Sequence, residues 1–377
     1  MPVRLHAIGT AVPATVLRQP EVRDLLRAQP QLSRRNRRLV EVAFDASDIL
    51  TRHTVVEELG GAVDLEPVFL DRDSGAVRRP GTGRRNAIYA QTAPGLLVEA
   101  ASAALADADG FAAGDVTHLV TVSCTGFTAP GPDQVMVERL GLDPSVERFH
   151  LGFMGCHGAF PALRAAVAFC TARPDAVVLV ACVELCTLHL QPSDDADAIL
   201  AASLFRDGAA AVVVSARPAR AGAAALDLDG LRTELLSAGA AEMSWTIGDS
   251  GFAMVLSSYL PRLLAGHLEK AITPLFDADP HLAGRPFAAV PRWAVHPGGR
   301  SIVDKVQLAL DLDGTQVREA RQVLRAYGNM SSVTVLFVLR EILAGPAPGD
   351  GGERVCALAF GPGLTVESAL LTLRTAA

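Results

Sequence analysis

Lysine is almost missing from this chain. Lys270 and Lys305 are the only two, and arginine supplies the rest of the 34 basic residues. Asp and Glu total 41, so the formal net charge is −7, which excludes a general nucleic-acid-binding surface and leaves any anion to a local basic patch. No run approaches the roughly 18 consecutive apolar residues of a membrane span. The opening, MPVRLHAIGTAVPATVLRQP, has neither the apolar stretch nor the small-residue cleavage site of a signal peptide. The six cysteines, at 124, 156, 170, 182, 186 and 356, form no CxxC pair, and most sit in apolar runs such as VLVACVELC. That pattern argues against a structural metal site and predicts reduced, mainly buried thiols. The expectation is a soluble, cytoplasmic protein.

What is present is apolar material for a core: half of the 377 residues are hydrophobic, enough for one large domain or two ordinary ones. The runs at 117–124, 175–185, 209–216, 292–296, 354–360 and 364–373 are nearly continuous in hydrophobicity, as strands buried on both faces are. Helix-like stretches of Ala, Leu and Arg lie between them at 93–108, 157–172, 299–310 and 315–344, which predicts a layered α/β architecture. A weak repeat runs through the chain. GFMGCHGAFPALRAAVAFC followed by FRDGAAAVVVSA is matched later by GNMSSVTVLFVLREIL followed by FGPGLTVESALLTL. Each copy is a glycine turn entering an apolar helix, then a Gly-rich hairpin into a buried strand. The repeat predicts two similar halves, 1–220 and 221–377, in a five-layer αβαβα body. Segments 274–290 and 344–353 read as surface loops, and 20–90, with its SRRNRR run, as a helical cap.

Three residues stand where chemistry gathers. Cys156 follows a glycine turn and opens the 157–172 helix, in whose first turn Pro161 fits. A thiol at a helix start feels the positive end of the dipole, so a lowered pKa is expected, with free backbone N–H groups facing a developing oxyanion. His296 ends the strand RWAVH before PGG, at the kind of strand end where α/β proteins place their sites, and as an imidazolium it would pair with a thiolate. A histidine at such a turn is otherwise a capping residue. Asn329, in YGNMSS, is a plausible helix N-cap, yet in the repeat it holds the place of Cys156. Its amide offers an uncharged donor to an enolate or thioester oxygen.

The strings FMGCHGA, LFRDGAAAVVV, WAVHPGGRSIVDKV, LRAYGNMSSVTVLFVL and AFGPGLTVESALL, in that order, resemble the signature segments of type III polyketide synthases, the chalcone synthase-like family. The resemblance runs from about residue 115 to the C-terminus and is weaker before that. It implies a thiolase fold and a homodimer that needs no cofactor or metal and takes an acyl-CoA starter and malonyl-CoA as substrates. It gives Cys156, His296 and Asn329 the roles of acyl carrier and decarboxylation site. It makes Phe205 a gatekeeper at the tunnel base, Trp245 the second gate, and Cys124 and His189 lining positions where plant enzymes often carry Thr. Segment 123–133 would approach the partner subunit. The basic CoA contacts of the plant enzymes do not map cleanly: Val42 and Ala46 stand at two of them, which leaves Arg34, Arg35 or Arg38 as candidates. CTGFTAPG resembles the bacterial alkylpyrone and alkylresorcinol synthases, and an acyl tunnel is expected near Cys124 and Ala129.

Other readings of the same residues are a ketoacyl-carrier-protein synthase III or hydroxymethylglutaryl-CoA synthase, which share the Cys–His–Asn logic, and a catalytically silent scaffold of the same fold. A papain-like hydrolase does not suit the buried-strand pattern or the duplicated halves.

Overall fold

The computed structural model describes residues 2–61, 66–239, 242–257, 259–345 and 352–375. In chain order, the first half contains β1 (Val3–Ala11), β2 (Thr15–Arg18), α1 (Gln19–Arg27), α2 (Arg34–Asp45), β3 (Thr51–Thr54) and α3 (Thr82–Asp107). It continues with β4 (His118–Ser123), α4 (Pro132–Leu140), β5 (Glu147–Gly152), α5 (Ala159–Ala172), β6 (Val177–Leu185), α6 (Ala196–Leu204) and β7 (Asp207–Ser215). The second half contains β8 (Ala224–Leu235), β9 (Met243–Gly248), β10 (Gly251–Leu256), α7 (Leu260–Asp277) and β11 (Arg292–Val295). After these come α8 (Arg300–Ala309), α9 (Arg318–Tyr327), α10 (Thr334–Leu343), β12 (Glu353–Gly361) and β13 (Thr365–Thr375).

Among the described residues nine strands hydrogen-bond in the order β11-β12-β13-β8-β1-β7-β6-β4-β5. The repeat is visible in this order. β4 and β6 are parallel, followed by antiparallel β7 and β1, and β11 and β12 are parallel, followed by antiparallel β13 and β8. The two half-sheets join where β1 meets β8, from Val3 opposite Leu228 to Leu5 opposite Leu226. Strand composition explains the layers. β6 turns Val178, Val180 and Cys182 toward one core and Val177, Leu179, Ala181 and Val183 toward another, so both of its faces need cover. α3 covers the outer face of the first half, and α7 that of the second. α5 and α10 lie between, each touching strands of both halves. α10 is buried on nearly all sides, Thr334 to Leu339 and Ile342, as a helix of the middle layer must be. These are the five layers the repeat implied.

Several local expectations change. The 315–344 stretch is two helices, because Gly328 takes a left-handed φ of 72° that breaks the ladder between α9 and α10. The 274–290 segment begins inside α7, whose apolar face keeps Leu275 and Phe276 buried. The 20–90 region is not purely helical: it holds β3, which pairs with β2 just before the region, and its end is the start of α3. Within 344–353, residues 346–351 lie outside the described residues.

Candidate active site

The site forms at the carboxyl ends of parallel strands from both halves, where open α/β sheets place ligands. Cys156 sits in a tight 3₁₀ turn, Gly155–His157, between β5 and α5. Gly155 has φ 75°, and a Cβ there would lie 2.4 Å from Pro362 Cδ, so this turn demands glycine. Asn329 has the matching place before the turn Ser331–Val333 and α10, again after a left-handed glycine. Its own N–H donates to Leu204 O at 3.0 Å, and its carbonyl accepts from Arg206 N–H at 2.8 Å, which stitches it across Phe205. His296 follows β11, with its N–H donating to Leu358 O at 2.7 Å, before Pro297, Gly298 and Gly299 turn the chain into α8.

These three side chains, separated by 140 residues between Cys156 and His296, line one cavity of about 350 Å³. Each is buried: Cys156 is 6% exposed, His296 and Asn329 1%. The Asn329 amide is oriented by its neighbours. Oδ1 accepts from Ser331 N–H at 2.8 Å and Nδ2 donates to Gly298 O at 3.2 Å, which leaves the second amide hydrogen for the Cys156 sulfur or a ligand oxygen. Both ring nitrogens of His296 are buried without a protein partner. Buried polar groups are nearly always paired, so these two mark a place for reacting groups. The side chains of Ser331 and Asn329 reach the Cys156 sulfur.

The electrostatics revise one expectation. Burial pushes the Cys156 thiol up to about 12, against the lowering effect of Ser331 and Asn329. Burial, with His157 nearby, pushes His296 down to about 3. Desolvation therefore outweighs the helix start, and the resting pair is thiol and neutral imidazole rather than thiolate and imidazolium.

The lining residues separate into two groups. Phe205 lines this cavity and also a second one of about 360 Å³, as do Cys186, Trp245 and Met254, so these four form the partition between them. Cys124 lines the first cavity. Its Sγ accepts from Gly155 N–H at 3.1 Å and its carbonyl from Trp245 Nε1–H at 2.7 Å, so it braces the Cys156 turn. His189 lines only the second cavity. Its Nε2 donates to Thr125 O at 2.8 Å, its Nδ1 accepts from Phe252 N–H at 3.0 Å, and it stacks on Phe252 at 4.1 Å. Ala129 is exposed and lines neither cavity, so no enclosed space opens beside it, whereas the second cavity lies behind Phe205.

Sequence reading missed Met254, Cys186, Ser331 and Glu184. Met254 stands opposite Trp245 in the β9–β10 hairpin, so the gate opposite Phe205 is shared by a Trp and a Met. Glu184 had a visible signal, a lone acid inside the run VLVACVELC. It is fully buried and accepts from Cys124 N–H at 2.9 Å, Thr125 Oγ1–H at 3.1 Å and Ser332 Oγ–H at 2.6 Å, which ties the loop after β4 and the turn before α10 to β6. Burial raises its carboxyl to about 7.

With this geometry established, comparison with known proteins is decisive. The N-terminal domain of chalcone and stilbene synthases matches residues 2–218, and the C-terminal domain matches residues 229–375. The chain belongs to the chalcone and stilbene synthase family, the type III polyketide synthases. The bisdemethoxycurcumin synthase of Oryza sativa subsp. japonica is 35% identical over 328 residues, 82% of this chain and 77% of that protein. The alpha-pyrone synthesis polyketide synthase-like Pks18 of Mycobacterium tuberculosis is 29% identical over 371 residues, 98% of this chain and 91% of that one. Among solved structures, PKS-I of the brown alga Ectocarpus siliculosus superposes with a TM-score of 0.90 at 29% identity, covering 98% of each chain. The type III domain of Steely1 from Dictyostelium gives 0.89 at 27% identity, covering 99% of each. This type III polyketide synthase is thus an acyltransferase of thiolase fold, from a family that works on CoA thioesters. No helix among its described residues is long and apolar enough to cross a membrane.

Proposed function

We propose that this synthase loads an acyl-CoA starter on Cys156, extends it with malonyl-CoA and cyclises the product. The observation that carries the reading is the convergence of a buried thiol, an unpartnered imidazole and an oriented amide in one cavity. In the loading step His296 takes the thiol proton as sulfur attacks the starter carbonyl, and the CoA thiol leaves with a proton. In extension the malonyl thioester oxygen accepts from His296 and from the second Asn329 amide hydrogen. CO₂ departs, and the enolate carbon attacks the acyl carbon and expels the Cys156 sulfur. No metal or cofactor is required. Residues 1–220 would carry the nucleophile and 221–377 the histidine and the amide. Six unpaired thiols and CoA substrates both suit the cytoplasm.

For the starter we propose a medium- or long-chain aliphatic acyl group, giving alkylpyrones or alkylresorcinols. Support comes from the second cavity, reached past Phe205 and Met254 and walled by Leu17, Val22, Leu59 and Leu190, with Arg52 and Thr54 also lining it. Product mass spectrometry across acyl-CoA starters with malonyl-CoA, and no carrier protein, tests both parts. Fatty acyl starters carrying several added units are expected, and Ala201→Phe, which fills the second cavity, should shift preference toward short chains. A higher kcat/KM for an aromatic starter, or single-unit products, would overturn the reading.

We further propose a homodimer formed along β5. This strand ends the sheet, leaves Glu147 to His150 exposed, and shows Phe149 at 40% exposure, with Phe127 at 41% beside Gly152 at its end. An open edge with exposed aromatics invites pairing with a second copy. Sedimentation should give about twice the 39.5 kDa of one chain, and Phe149→Asp should yield monomers. A wild-type monomer would exclude the arrangement.

A further inference from the structure

The active-site cavity has a charged rim of one sign. Of its lining residues, Arg262 in the first turn of α7 and Lys305 on α8 are cationic, and none is Asp or Glu. Both are exposed, while Cys156, His296 and Asn329 are buried, so the two cations mark the mouth and the triad the depth. α7 and α8 pack against each other, which brings the two side chains to the same opening. Neither makes an ion pair or side-chain hydrogen bond among the described residues. The nearest acid in sequence, Asp304, is occupied by Arg321 at 2.7 Å and Arg300 at 3.6 Å. One of two lysines in an acidic chain therefore sits unpaired at the entrance to its substrate cavity. The arginines of α2 offer no such arrangement. Arg38 pairs with Glu41 at 3.0 Å, and none of Arg34, Arg35 and Arg38 lines the cavity.

We propose that Arg262 and Lys305 form the phosphate clamp for CoA thioesters, holding the nucleotide end at the rim while the thioester reaches Cys156. The inference rests on the CoA-dependent reading above and names the residues that give it affinity. Arginine offers a fork to two phosphate oxygens and lysine a compact point charge. Ser257 and Ser301, also at the cavity wall, supply hydroxyl donors beside them.

The test is calorimetric binding of free CoA to the full chain, which needs no turnover. Arg262→Ala and Lys305→Ala should each weaken CoA about tenfold, and the double variant about a hundredfold, since each charged contact contributes on the order of a factor of ten. In kinetics KM for malonyl-CoA should rise with kcat nearly constant. With a malonyl N-acetylcysteamine thioester, which carries no phosphate, kcat/KM should change by less than about twofold. An Arg34→Ala/Arg35→Ala/Arg38→Ala variant should bind CoA like the wild type. The clamp is refuted if the double variant keeps wild-type CoA affinity, or if the α2 variant is the one that loses it. A synthase that binds CoA through the rim yet makes no polyketide would sink the functional reading and leave the clamp standing.

Discussion

Cys156→Ala should lower polyketide formation by on the order of 10⁴-fold or more, because the acyl chain then has no covalent carrier between extensions. Decarboxylation of malonyl-CoA should survive in the same protein, since its donors belong to His296 and Asn329. The split is the informative part. Cys156 lies in a turn set by Gly155 and packs only in a small cluster with Cys186 and Phe205, so alanine should leave the fold intact and Tm little changed. Comparable loss of both activities would mean that Cys156 also holds the malonyl group.

His296→Ala should cost about 10³-fold in malonyl decarboxylation, and Asn329→Ala about 10²-fold, the range for removal of a preorganised donor to an oxyanion. The two variants should separate on a second readout, alkylation of Cys156 by iodoacetamide. In the proposed loading step His296 takes the thiol proton, and burial holds that thiol near 12, so losing the imidazole should slow alkylation steeply. Asn329 donates toward the sulfur but takes no proton from it, so its loss should slow alkylation far less than loss of His296 does. Equal alkylation rates in wild type and His296→Ala would remove His296 as the base.

The parts of this arrangement that were legible in the amino-acid order are those with local grammar. Buried strands are written as unbroken Val/Ala/Leu runs, and β4, β6, β7, β12 and β13 lie where those runs predicted. The duplicated glycine-turn-helix units correctly paired Cys156 with Asn329, because a left-handed glycine before a helix is a backbone requirement visible in sequence. What stayed hidden depends on distance in three dimensions. The Cys156 thiol was expected to be acidified by the helix start, but no local pattern reveals how deeply the surrounding residues bury it. Met254 reads as one apolar residue in a hairpin, and its place at the gate follows only from β9 and β10 folding over Phe205. Ala129 suggested room for an acyl chain because it stands where the family carries a bulkier residue, while the chain direction after β4 carries it to the surface. Arg262 and Lys305 are 43 residues apart and meet only because α7 packs on α8.

The central claim is that Cys156 carries the growing chain, and it is tested most directly by mass spectrometry of the acylated protein. Wild-type protein is incubated with a fatty acyl-CoA and no malonyl-CoA, quenched in acid, and its peptides are mapped. One acyl group is predicted, on the peptide containing Cys156, lost in Cys156→Ala and discharged when malonyl-CoA is added. An acyl group on Cys124 or Cys186, the neighbouring thiols that line the same cavity, or an adduct that malonyl-CoA does not discharge, would contradict it.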